Sequence, residues 1–75
     1  MTITPGQVKA ARELLGWSQS KLAGESGVSA STIRKFEAGD RRPPMLDLSV
    51  IRRMLEDGGA EFVDGEPGVK LRKAR

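Results

Sequence analysis

Residues 19–39 read QSKLAGESGVSASTIRKFEAG, and this stretch organises the rest of the chain. Two short helical patterns meet in it at Gly27, the natural site for the positive φ of a tight turn. Ser18, just upstream, caps the first pattern, in which Leu22, Ala23 and Ser26 share one side. Gly24, in the middle of that pattern, costs about 1 kcal/mol against alanine, so packing must offset it. Ser29 caps the second pattern, and Val28 plugs the corner between the two. Ile33 and Phe36 define the stripe that the second helix buries. Measured from Ile33, Ser31, Lys35 and Ala38 fall at about 140–200° and face outward. Arg34 and Thr32 take the opposite flanks. A helix that hides one stripe and offers small, polar and basic side chains on the other is suited to a DNA groove.

Upstream, Thr4, Pro5 and Gln7 give the start of a first helix: a cap, a proline at the first helical position, and a glutamine at the capping-box position. Val8, Ala11 and Leu15 recur at helical spacing, Leu14 broadens the stripe, and Gly16 ends the helix. Arg12 lies about 40° from Val8, on the apolar side. Either its stem lies on the core with its head in water, or it is a half-buried partner for an acid. Glu37 occupies the equivalent position on its own helix, about 40° from Ile33. Two charges of opposite sign on otherwise apolar sides predict an Arg12–Glu37 salt bridge between the first and third helices. Trp17, the one tryptophan, reads as core filler at a helix junction.

Downstream, Pro43 and Pro44 break the third helix and stiffen a loop that carries Arg41 and Arg42. A fourth helix is expected from about Leu46 to Asp57, with Leu48, Ile51 and Leu55 inward and Arg52 and Arg53 outward. Gly58-Gly59 stops it. The period then changes: Ala60 and Phe62 alternate, as do Val69 and Leu71, around DGEPG at 64–68. This predicts a β-hairpin that either covers the helical core or pairs with a second chain. The last residues, KAR, are expected to fray.

Composition narrows the function classes. Seventy-five residues make one domain. With no cysteine and no histidine there is no disulfide framework, no expected metal site, and none of the commonest acid/base or ligand groups. No cofactor is expected. The acidic residues form no paired constellation and no glycine loop cradles a phosphate, so an enzyme is not expected. The opening MTITPGQ lacks the flank of a signal peptide, and no apolar run is long enough to span a membrane. A soluble protein of the cytoplasm is the expectation. Net charge is +3, from 13 basic and 10 acidic residues. That excess is mild, but Arg34, Lys35, Arg41 and Arg42 concentrate it beside the central stretch.

The run Trp17-Ser18-Gln19-x-x-Leu22-Ala23-x-x-x-Gly27-Val28-Ser29-x-x-x-Ile33-x-x-x-Glu37-x-Gly39-x-x-x-Pro43 resembles the Cro/C1-type, or XRE-type, helix-turn-helix regulators. The likeness extends more loosely over residues 5–57, and the tail AEFVDGEPGVKLRK resembles the ending of many small bacterial members. It implies a mainly α fold, a four-helix lambda-repressor-like DNA-binding domain over 1–59 with the helix-turn-helix at about 18–38. Residues 60–75 would add the hairpin and tail. Double-stranded DNA would be the partner, bound by a homodimer at nucleoid operator sites; the 60–72 hairpin, from its own residues, is the candidate joint. Helix 29–38 would enter the major groove.

The resemblance also implies roles for residues. Ala30, Ser31 and Lys35 match base-reading positions, with Thr32 and Arg34 beside them. Ser18 and Gln19, with Arg41 and Arg42, fall where phosphates are held, and Gln19 would also buttress the third helix. Arg12 and Glu37 match a recurrent salt bridge. Ala30 and Ser31 depart from the glutamine or asparagine common at the first reading positions. Alanine can touch only a thymine methyl, and serine bonds ambiguously. Specificity then rests on Lys35, its neighbours and DNA shape. The competing expectation is a small antitoxin or anti-activator that grips another protein.

Overall fold

A computed structural model describes residues 3–63 and 68–71. Four helices are followed by an antiparallel hairpin: α1 (Pro5–Leu14), α2 (Gln19–Ser26), α3 (Ala30–Glu37), α4 (Met45–Gly58), β1 (Ala60–Phe62) and β2 (Val69–Leu71). The fold is thus mainly α with a small C-terminal hairpin.

Each of the first three helices starts on a side-chain cap. Thr4 Oγ1 accepts the Gln7 N–H at 3.1 Å, and Gln7 Oε1 accepts the Thr4 N–H at 2.9 Å, which completes the capping box. Ser18 caps α2 through the Lys21 N–H, and Ser29 caps α3 through the Thr32 N–H. Gly27, at φ 76°, lies between α2 and α3. A Cβ there would meet nothing, so it is the left-handed backbone alone that calls for glycine. Val28 is buried beneath the turn.

Val8 and Ala11 of α1, Leu22 of α2, Ile33 and Phe36 of α3, and Leu48, Ile51 and Leu55 of α4 meet in one core. Burying a side chain the size of Ile33 stabilises by roughly 1.5–3 kcal/mol. The hairpin belongs to this core, because Ala60, Phe62 and Val69 are buried in the same cluster. It pairs Ala60 with Leu71, Glu61 with Lys70 and Phe62 with Val69, and packs on α1 and α4. Gln7 ties it down: its Nε2 donates to the Gly68 carbonyl at 3.1 Å in a buried bond. The hairpin therefore covers the core. Most of the expected loop, residues 64–67, and the KAR end lie outside the described residues.

Two local expectations need correcting. Leu14 does not broaden the buried stripe; it lies about 120° around α1 from Val8 and is 44% exposed, while Leu15 packs against the core as its spacing predicts. The fourth helix also starts earlier, at Met45, and runs one residue further than expected, through Gly58, before Gly59 caps it at φ 119°. A Cβ on Gly58 would sit 2.7 Å from Trp17 Cζ2 and 3.2 Å from Leu15 Cδ1. Here glycine is needed for close approach rather than for its backbone angle. Trp17 packs against the core at that point.

Candidate nucleic-acid interface

The orientation of α3 is set from behind. Arg12 of α1 donates to both carboxylate oxygens of Glu37, Nε to Oε2 at 2.8 Å and Nη2 to Oε1 at 2.9 Å. Its Nη1 donates to the Trp17 carbonyl at 2.9 Å, and Trp17 N–H returns a bond to the Arg12 carbonyl at 2.8 Å. Gln19 Nε2 adds a third donor to Glu37, reaching Oε1 at 3.2 Å. One carboxylate at the end of α3 thus gathers α1 and the first turn of α2. Side-chain exposure is 12% for Arg12 and 4% for Glu37, so this pair is largely removed from water. A bidentate pair has little rotational freedom, and it fixes how α3 is turned about its axis.

The hydrogen bond and charge of Glu37 raise the Arg12 pKa above its ordinary value against the opposing effect of burial, with a smaller contribution from Glu13. A raised folded-state value stabilises fully below the unfolded arginine range and is lost only above it. The arginine side of the pair is therefore constant across neutral pH.

With α3 held this way, Ser31, Arg34, Lys35 and Ala38 are exposed, while Ala30 and Thr32 are half-buried. Eight residues make a rod about 12 Å long, comparable to the width of a major groove. Thr32 is more committed than its flank position suggested. Ser29 Oγ accepts the Thr32 N–H at 3.1 Å and donates its own proton to Thr32 Oγ1 at 2.8 Å. At the other end, Gly39 N–H bonds the Phe36 carbonyl at 2.9 Å and Asp40 N–H the Lys35 carbonyl at 2.8 Å. With Gly39 at φ 81°, this is a Schellman ending. It delivers the chain to Arg41 and Arg42, both exposed, before Pro43 anchors the loop in the interior.

Ser18 and Gln19 stand together at the start of α2, and Gln19 reaches Glu37. Lys9, which the sequence reading passed over, lines a cleft with Arg12, Gln19, Arg34, Glu37 and Ala38. Its spacing of three from Arg12 on one helix was the available signal. For Gln19 the resemblance implies a buttress to the third helix, but helical periodicity gives no signal for its bond to Glu37.

Two short helices joined by a tight glycine turn, the second braced from behind and exposed in front, make the layout of a helix-turn-helix DNA-binding domain. The family model described as Helix-turn-helix matches residues 8–56, and the chain belongs to that family, the Cro/C1 or XRE type of DNA-binding transcriptional regulators. No curated protein matches the chain. Among the described residues, no helix is long and apolar enough to cross a membrane.

Proposed function

We propose that the protein is a repressor that binds a two-fold operator as a homodimer, with α3 in the major groove and no catalytic activity of its own. The observation that carries this reading is the braced α3, whose outward face is free while its rear is locked to α1 and α2 by Arg12, Glu37 and Gln19. Ala30, Ser31 and Lys35 face the bases, with Thr32 at the margin because its hydroxyl is already engaged by Ser29. Lys35 is the one residue of these with a long cationic reach, suited to guanine acceptors or to the groove potential. Ser18 and Gln19 at one end, and Arg41 and Arg42 at the other, lie against phosphates.

A dimer would set two α3 helices about 34 Å apart, one helical turn of DNA. The two-stranded sheet supports pairing through the hairpin, since each strand has a neighbour on one side only, and Leu71 of β2 is exposed. The protein would act in the cytoplasm.

Selection of bound sequences from a random duplex pool, with sedimentation of the free protein, tests the proposal. A symmetric motif and a dimer are expected. Failure to enrich any motif, together with recovery of one stoichiometric protein partner, would transfer the reading to an antitoxin or anti-activator. Within the DNA reading, Lys35→Ala is expected to change the selected motif. Arg42→Ala is expected to weaken all sequences alike and to lower the salt slope by about one.

A further inference from the structure

Between α1 and α3 lies a shallow cleft of about 230 Å³, lined by Lys9, Arg12, Gln19, Arg34, Glu37 and Ala38. Its floor is the Arg12–Glu37 pair, whose charges cancel and whose carboxylate oxygens both already accept hydrogen bonds. Its rim is different. Lys9 and Arg34 are exposed, and among the described residues neither has an ion-pair partner. Gln19 uses one hydrogen of its side-chain amide on Glu37 and keeps the second. The small Ala38 leaves the opening clear. Such a site presents donors and positive charge from three helices, while both oxygens of its one carboxylate are already engaged by Arg12 and Gln19. The matching ligand is an anion with acceptor oxygens only.

Resting on the DNA-binding reading above, we infer that this cleft seats one phosphodiester of the DNA backbone, clamped by Lys9 from α1 and Arg34 from α3. Arg34 is then a phosphate residue and not a reader of bases. The clamp joins the helix that enters the groove to the helix that braces it, through a single backbone phosphate. It sets how deeply α3 lies, and it carries no sequence information of its own.

The test uses the full chain and the duplex that the wild-type protein selects from a random pool. Affinity is followed over salt for the wild type and for the double variant Lys9→Gln/Arg34→Gln, with circular dichroism verifying that the variant is folded. Two cations on one phosphate predict that the salt slope falls by about 0.9 in the double variant, against about 1.8 if they held two phosphates. From ~50 to ~200 mM salt, the wild type then loses roughly threefold more affinity than the variant. The selected motif stays the same. Replacing backbone phosphates singly by neutral methylphosphonate should reveal one position that weakens the wild type and leaves the double variant unaffected.

A changed motif with an unchanged slope would put Arg34 on the bases and overturn the clamp. So would a slope change of about 1.8, or none at all. A wild-type protein that shows no salt-dependent duplex binding would remove the DNA-binding reading itself, a failure visible before any variant is made.

Discussion

The seam between α1 and α3 and the outward face of α3 both carry basic side chains, yet they handle them in opposite ways. At the seam, Arg12 is 12% exposed and places Nε, Nη1 and Nη2 on protein acceptors. On the outward face, Lys35 and Arg34 are exposed and, among the described residues, have no ion-pair partner. The difference is one of desolvation. A charge taken from water must recover its lost hydration from fixed partners, and those partners then fix its geometry. A charge left in water has no such constraint and stays available to another molecule. On the function proposed above, the rigid side of α3 aims it and the unsatisfied side meets the partner.

The largest expected effect lies at the seam. Glu37→Leu leaves the Arg12 guanidinium half-buried with its main acceptor gone, and should destabilise by about 3–5 kcal/mol. Adding Arg12→Met should restore much of that. Urea unfolding of the wild type, both single variants and the double variant measures the coupling, and additive effects would mean that the seam behaves like a surface pair.

Gly58→Ala comes next. The added methyl meets Trp17 at 2.7 Å, so overpacking should cost about 1–3 kcal/mol, with a shift in tryptophan fluorescence. Gly24→Ala sharpens the contrast with the opposite sign. A Cβ there meets nothing within 4 Å, so this exposed position in α2 should gain up to about 1 kcal/mol in thermal or urea unfolding. The smallest effect is expected on the outward face. Lys35→Ala should change stability by less than about 0.5 kcal/mol while altering the selected DNA motif. A large loss of stability from that substitution would erase the distinction between the two faces.

The parts of this arrangement that were legible in the sequence share a physical character. Thr4, Ser18 and Ser29 announce helix starts because capping is local, settled within three residues. Arg12 and Glu37 could be paired from sequence because each is a charge on an apolar side, and opposite charges so placed have few other ways to avoid isolation. What was hidden depends on distant approach. Gly58 read as part of a stop signal, whereas α4 runs through it and Trp17, far away in the chain, packs where its Cβ would sit. Leu15 continues the Val8–Ala11 spacing and packs inward, whereas Leu14, about 120° around the helix from Val8, is exposed. Lys9 and Arg34 are 25 residues apart, and only the fold brings them to the same cleft. The sequence also left the hairpin's packing open, because alternation shows that one face is apolar without saying what covers it.

The Gln7 side chain has a consequence for the order of assembly. Its Oε1 finishes the start of α1, while its Nε2 reaches a carbonyl 61 positions later in the chain. During synthesis the amino-terminal helix therefore emerges long before the strand that completes its environment. Loop closure over that span is entropically slow compared with helix formation, so docking of the strand is expected to complete the packing of α1. In pulse-labelled amide exchange during refolding, α1 and β2 should gain protection together, whereas protection of α1 well ahead of β2 would show that the two ends mature independently.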